Sequence, residues 1–410
     1  MSLNILHVNY YDSKGGASIA VERIHESLKL LGINSKILVA EKLSNNSDVF
    51  GPSSTIEEIK WKLFKSLNRK IEILQKKKKY DSNSFNFLPN NFVDKINNLD
   101  CDIVNLHWIG NNLIPIKKIS KIKKPIVWTL HDMWAYTGSE HYSQNERFIT
   151  GYNKTNRPED LKGLDVEKYC WNLKRKYYPQ KMTIVPTSKW QLENLKKSYL
   201  LKNHQIQKIP LPIDFNFWKR FDKKLSRKLL NLPQDKKIIL IGSENLSHKR
   251  KGSNYLNQIF KSLDSKEILI LSFGNNNQTF QNLDLTNHVS LKEIKSDTSD
   301  LKIAYSASDL FIAPSIQESF GQTVLEASSC CLPSVCFENN GISEIIDHKI
   351  NGFIAKENDL NDFIKGVDWC LKNLNENSME DNLKNLNKKF SYNKIGSDYK
   401  ILYEKILSDI

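Results

Sequence analysis

The 410-residue chain has no uncharged apolar run that approaches the ~18 residues a membrane-spanning helix needs. An integral helical membrane protein is therefore excluded. The opening stretch, MSLNILHVNYYD, lacks the basic flank and apolar core of a signal peptide, so export is not expected. Cysteine is scarce: Cys101, Cys170, Cys330, Cys331, Cys336 and Cys370 show no Cys-x-x-Cys spacing. That excludes a disulfide scaffold and predicts buried, reduced thiols in a cytoplasmic protein. No His/Cys cluster has the spacing of zinc ligands, and the acidic run Asp100-Cys101-Asp102 reads as entry into a strand rather than a metal site. A three-glycine dinucleotide fingerprint is also missing, which leaves a nicotinamide cofactor poorly supported.

What is present fits a two-domain α/β protein. A chain of 410 residues is too long for one ordinary core, and 40% hydrophobic content with eight tryptophans is enough to fill two. Lysine and arginine number 60 against 46 aspartate and glutamate, and the balance of +14 favours acidic partners.

Continuous apolar runs of strand length occur at 3–10, 35–40, 102–109, 125–132 and 182–188, and again at 236–243, 266–273, 309–315, 333–337 and 351–355. Helical stretches separate them. In the first of these, Ala17, Ala20, Val21, Ile24, Leu28 and Leu31 recur at helical spacing and Gly32 ends the run. Such uninterrupted runs predict parallel sheets covered on both faces. The proline-bearing KIPLPIDF (208–215) suits a stiff crossing between domains. The expectation is two doubly wound Rossmann-like domains, residues 1–210 and 211–389, facing an interdomain cleft with ligand sites at strand C-termini. A final helix, about 390–410, is placed to pack back on the first domain.

Two stretches break this rhythm. Residues 56–79 have a basic amphipathic helix pattern, with Ile56, Ile59, Leu63, Leu67, Ile71 and Leu74 on one face. An ordinary helix packed on its own domain with a solvated lysine face accounts for it; docking on anionic lipid is the second reading. Residues 138–180 read as a long polar insertion between strands, open towards the cleft.

The residues suited to chemistry cluster at strand ends. In ESFGQTVLE (318–326), Glu318 lies in a turn, Gly321 permits close approach of a ligand, and Glu326 falls in the second turn of a helix. Free N–H groups at a helix start attract phosphate. A carboxylate on each side of them suits the hydroxyl-bearing groups that flank the diphosphate of a nucleotide sugar. HKRKGS (248–253) puts Arg250 and Lys251 at a helix start, placed to neutralise that diphosphate. Gly15 and Gly16 follow the first strand, and His131 with Asp132 ends another.

Taken together, GGAS, TLHDMWAYTG, RKG, PSIQESFGQTVLEA and NGISEIIDHKINGFIA resemble the motifs of the family 4 retaining glycosyltransferases, in order along nearly the whole chain. The flavour is that of the bacterial branch building colanic-acid-type surface polysaccharides. The resemblance implies a GT-B fold and transfer of a sugar from a nucleotide donor, a UDP- or GDP-sugar, to a glycan acceptor, lipid-linked in such pathways. It implies no further cofactor and no metal. By the same resemblance Glu326 holds the ribose hydroxyls, while Glu318 and the backbone around Phe320, Gly321 and Gln322 contact the donor sugar. Arg250, Lys251 and the amides near Thr323 stabilise the departing diphosphate, His131 contacts the transferred sugar, and Gly15–Gly16 line its phosphate side. Where relatives carry an arginine directly after the glycine of the LIGS strand, this chain has Ser243 and Glu244; Lys249 or Arg250 stands nearest to compensate.

Other classes compete with this reading. A nucleotide-sugar epimerase shares the architecture but needs acid/base residues that are not found. A non-catalytic GT-B partner subunit would not need Glu318, Glu326 and Lys251. Nucleic-acid binding fits the charge, yet the basic stretches lack interleaved aromatics beyond Trp61 and Phe64. The expected location is the cytoplasm, at the inner face of the plasma membrane if residues 56–79 touch lipid.

Overall fold

A computed structural model describes residues 3–74, 82–159, 161–243, 245–246, 248–264, 266–274, 280, 287–291, 298–374 and 376–409. Lys76–Lys79 of the basic stretch and Glu244 lie outside the described residues. The chain divides into two compact units, Met1–Pro212 with Tyr392–Ile410, and Ile213–Ser391.

The first unit holds seven parallel strands: β1 (Asn4–Tyr11), β2 (Asn34–Glu41), β3 (Val49–Phe50), β4 (Ile103–Leu106), β5 (Ile126–Leu130), β6 (Thr183–Pro186) and β7 (Gln205–Ile206). Their order is β3-β2-β1-β4-β5-β6-β7. The second unit holds β8 (Lys237–Gly242), β9 (Ile268–Phe273), β10 (His288–Ser290), β11 (Leu310–Ala313), β12 (Ser334–Phe337) and β13 (Gly352–Ala355), ordered β10-β9-β8-β11-β12-β13. The central strands β4, β5, β6, β9 and β11 are buried along their whole length, as helices on both faces require. In each sheet the chain leaves the first strand and winds in both directions, so the strand order reverses beside β1 and beside β8. These are the points at which doubly wound sheets bind ligands. The Gly15–Gly16 loop follows β1, and the His248–Gly252 loop follows β8. The edge strands β3, β7 and β10 are two or three residues long and have no counterpart in the sequence reading.

The last helix, Tyr392–Ser408, belongs to the first unit and packs against its first helix, Gly16–Lys29. Its seat is polar as well as apolar. Asn105 donates to the Tyr403 hydroxyl at 2.8 Å, and the Thr129 hydroxyl lies 3.0 Å from that of Tyr399, all four residues being buried. Gly396 sets the approach, since a Cβ there would stand 2.5 Å from the carbonyl oxygen of Ser27.

Two expectations are corrected. The helix Thr55–Leu74 is present but turned: Trp61 and Asn68 face inwards at 1% and 5% exposure, while Ile56, Ile59 and Leu63 stand 81%, 59% and 56% exposed. Burial of an indole removes more apolar area from water than burial of an isoleucine. The Asn68 amide fixes the same rotation, donating to the Asn83 carbonyl at 2.8 Å and accepting from Phe85 N at 3.1 Å. Residues 138–180 are not an open polar loop. They include the helix Val166–Tyr177 and send Phe148, Tyr152, Cys170, Trp171 and Leu173 into the core of the first unit. Their polar groups pair with one another: buried Arg147 binds Glu167 at 2.9 Å and Asp165 at 2.6 Å, and Tyr152 donates to Glu140.

Gly396→Ala gains helix propensity but overpacks the seat on Ser27. It is expected to destabilise the protein by about 1–2 kcal/mol, a fall in Tm of roughly 2–8 °C in a thermal melt. A raised Tm would show that the helix seat yields.

Candidate functional site

In the second unit the site is assembled by two loops that touch through their backbones. β8 and β11 are neighbours, so the loops that leave them lie side by side. Gly252, with φ of +77°, permits the contact: a Cβ there would stand 1.9 Å from the carbonyl oxygen of Pro314. The Ile316 amide then donates to the Arg250 carbonyl at 2.7 Å. This docking brings the Lys251 ammonium onto the Glu318 carboxylate as an ion pair, with Arg250 Nη1 3.5 Å from the same oxygen. Arg250 also donates to the Gln317 carbonyl at 3.3 Å. Burial alone would raise the Glu318 carboxyl. The charges of Lys251 and Arg250 and the Lys251 hydrogen bond outweigh it and hold the group below the usual carboxylate range. Two cations on one carboxylate give a partly exposed group of net positive charge.

Gly321 begins the helix Gln322–Ser329 with φ of +97°, and a Cβ there would lie 2.7 Å from Ile342. Glu326, in the second turn, is 2% exposed and accepts a hydrogen bond from Tyr305 at 3.1 Å. Gln322 and Thr323 are half-buried at the helix start. Phe320 is buried, its ring perpendicular to that of Phe390.

Sequence reasoning missed two braces of this site. Asn340 is 1% exposed; it donates to the carbonyls of Ser315 and Phe337 at 3.1 and 2.9 Å and accepts from Ile342 N at 2.9 Å. Beside it the Gly341 amide donates to the Glu318 carbonyl at 2.8 Å. Tyr305, from the helix Ser299–Ala307, is the second brace, holding Glu326. The Asn-Gly pair at 340–341 was the signal available for the first; for Tyr305 there was none.

In the first unit Gly15, with φ of +81°, turns the chain from β1 into the helix that Gly16 begins. His131 and Asp132 follow β5. Asp132 is held by the His141 ring at 2.5 Å, by Trp108 Nε1 at 2.9 Å and by the Trp134 amide at 2.8 Å. Burial would raise this carboxyl, but the proximity and hydrogen bond of His141 hold it down. His131 Nε2 lies 3.0 Å from Nδ1 of His107, and burial pulls the His131 pKa down to about 4. The structure therefore brings Arg250, Lys251, Glu318, Gly321 and Glu326 together in one unit, and sets Gly15, Gly16 and His131 at strand ends of the other.

Asp102 accepts from the backbone and side chain of Asn4 at 2.8 and 3.2 Å, tying β4 to β1 at strand entry. Among the described residues no group of three or more His, Cys, Asp or Glu side chains is placed to hold a metal ion. All six cysteines are buried and free, and burial pushes the Cys101 thiol up to about 11 and the Cys170 thiol up to about 12. No described helix is long and apolar enough to cross a membrane.

Residues 222–390 match the family described as "Glycosyl transferases group 1". An uncharacterized glycosyltransferase of Haemophilus influenzae is 28% identical over 132 residues, 30% of this chain and 36% of its own length. The N-acetyl-alpha-D-glucosaminyl L-malate synthase of Bacillus anthracis is 23% identical over 287 residues, 68% of this chain and 73% of that protein. The match thus spans about a third of the first relative and nearly three quarters of the second. Among solved structures, sucrose-phosphate synthase from Thermosynechococcus elongatus superposes with a TM-score of 0.69 at 14% identity, covering the whole of both chains. Anabaena HepE in complex with UDP and glucose gives 0.66 at 15% identity, again over both whole chains. The chain has the GT-B fold, with two parallel-sheet Rossmann-like domains, and its residues 222–390 are similar to the group 1 glycosyltransferases.

Proposed function

We propose that the protein is a retaining glycosyltransferase that moves a sugar from a nucleotide-sugar donor to a glycan acceptor during synthesis of a bacterial surface polysaccharide. The observation that carries this reading is the docking of Arg250 and Lys251 onto Glu318 beside the start of the helix that bears Glu326. Positive charge, a helix start and a buried carboxylate near one another support a reading in which they meet the leaving diphosphate and the ribose. Glu326 accepts from two neighbouring ribose hydroxyls, while Glu318 and the backbone of Phe320–Gln322 take the sugar. Arg250 and Lys251, with the amides near Thr323, meet the charge that develops on the departing diphosphate. Preorganised donors of this kind are each worth about 3–4 kcal/mol in the transition state. With these cations in that role the reaction needs no divalent metal.

In the retaining course the acceptor attacks on the face that the leaving group vacates, and a phosphate oxygen takes its proton. His131 contacts the transferred sugar, and Gly15–Gly16 line its phosphate side. Among donors a UDP-sugar is favoured, in keeping with the UDP and glucose bound by HepE. The exposed stripe of Ile56, Ile59 and Leu63, beside exposed Lys62 and Lys70, supports docking on anionic lipid at the inner face of the plasma membrane, where a lipid-linked acceptor is found.

A thermal-shift panel of UDP, GDP, ADP and TDP with their sugars tests the donor site. A ligand at 100 times its Kd should stabilise the fold by about 2.7 kcal/mol, roughly 2–4 °C per kcal/mol for domains of this size. The shift is expected with one base and is expected to vanish in Glu326→Ala; silence with every nucleotide would overturn the donor site. Lys251→Ala is expected to lower kcat by about 10²–10³-fold in steady-state transfer assays, and unchanged turnover would remove Lys251 from the leaving-group role. Sedimentation with phosphatidylglycerol vesicles is expected at low salt. It should weaken as salt rises and drop sharply in Ile59→Asp; equal binding by the variant would rule out this face as the lipid contact.

A further inference from the structure

Three histidines of the first unit form a hydrogen-bonded row across adjacent strands. His7 lies in β1, His107 directly follows β4 and His131 directly follows β5, and β1, β4 and β5 are neighbours in the sheet. His7 Nδ1 is 2.9 Å from His107 Nε2, and His107 Nδ1 is 3.0 Å from His131 Nε2. The rings sit 5.1 and 5.2 Å apart, the second pair nearly stacked at 21°. His7 and His107 are 0% and 2% exposed.

A neutral imidazole carries one N–H and one bare nitrogen, so each can donate to only one side. Every hydrogen in the row must therefore lean the same way, and the buried end decides which. His7 Nε2 is buried with no hydrogen-bond partner among the described residues; its ring stands perpendicular to that of His25, with centroids 6.5 Å apart. A buried, unpaired N–H is rarer than an under-used acceptor, so the bare nitrogen belongs at this end. The hydrogen then sits on Nδ1 of His7, on Nδ1 of His107 and on Nδ1 of His131.

We propose that His7 and His107 are positioning residues that hold His131 in its Nδ1–H form, so that it meets an oxygen of the bound substrate as a hydrogen-bond donor. The proposal rests on the reading of His131 as a contact of the transferred sugar. The role of each ring follows from the hydrogen bond its other nitrogen makes. Burial also keeps the row uncharged: it draws His7 down to about 3, with His25 adding to the shift, and His131 to about 4 against the pull of Asp132. His107 lies well below the ordinary value for the same reason, with His7 and His131 contributing. The donor on His131 is thus a neutral N–H whose state does not change near pH 7.

Two-bond ¹H–¹⁵N correlation spectra of the full chain labelled at histidine, assigned through single substitutions, read the tautomers directly. At pH 7 all three rings are expected in the Nδ1–H pattern, whether or not any sugar is transferred. His107→Phe removes both bonds of the middle ring and is expected to release His131 into a mixture of tautomers. His107→Asn keeps an amide donor in the place of Nδ1 and is expected to restore the Nδ1–H form. An Nε2–H pattern at His131 in the unsubstituted protein would overturn the proposal, and needs no variant to fold. An Nδ1–H pattern that persists in a folded His107→Phe protein would overturn it equally. A row with the expected tautomers whose His131 signals ignore saturating nucleotide sugar would leave the row in place and remove His131 from the transfer site.

Discussion

A parallel sheet covered on both faces has to pair every backbone group it buries. Both units obey this constraint, and it decides where chemistry can occur. The inner strands β4, β5, β9 and β11 are buried from end to end. The groups suited to a polar ligand emerge where strands stop: His107 after β4, His131 and Asp132 after β5, the Arg250–Lys251 turn after β8 and Glu318 after β11. Glycine appears where these ends must touch. Gly252 against Pro314 and Gly341 against Ser319 are contacts of backbone with backbone, which no side chain permits.

The polar groups at the strand ends of the two units differ in chemistry. In the second, charge is concentrated: two cations share one carboxylate, and the ionised state of Glu318 depends on them. In the first, burial lowers the pKa values of His107 and His131, and the Asp132 carboxylate beside them is held by the His141 ring, Trp108 Nε1 and the Trp134 amide. A site of fixed charges suits an anion that leaves.

Much of this was legible in the sequence because the relevant signals are local. The long strands announce themselves as apolar runs, and the spacing of Glu318 to Glu326 is set within a single strand–turn–helix segment. The rest was not legible, for physical reasons. The edge strands β3, β7 and β10 owe their conformation to a neighbour's hydrogen bonds, and two or three residues carry no periodicity. The face of the helix Thr55–Leu74 that turns inwards is chosen by the tertiary partners of Trp61 and Asn68, which lie outside the helix. The polarity of 138–180 is satisfied internally by Arg147, Asp165, Glu167, Tyr152 and Glu140, so a composition that reads as solvated loop is in fact packed. Asn340, Tyr305 and His7 act on groups 25, 21 and 100 residues away, and no local pattern reports such a distance.

The return of residues 392–408 to the first unit has a consequence for biogenesis. The second unit is one unbroken segment, 213–391, whereas the first is made from both ends of the chain. Domains usually fold in the order in which they leave the ribosome. Here the domain that begins first is the last to be finished, because Asn105 and Thr129 receive Tyr403 and Tyr399 only after the whole of the second has been synthesised. A chain stalled or clipped near its end would release an intact second domain attached to an incomplete first one, with the groove of the missing helix open to chaperones and proteases.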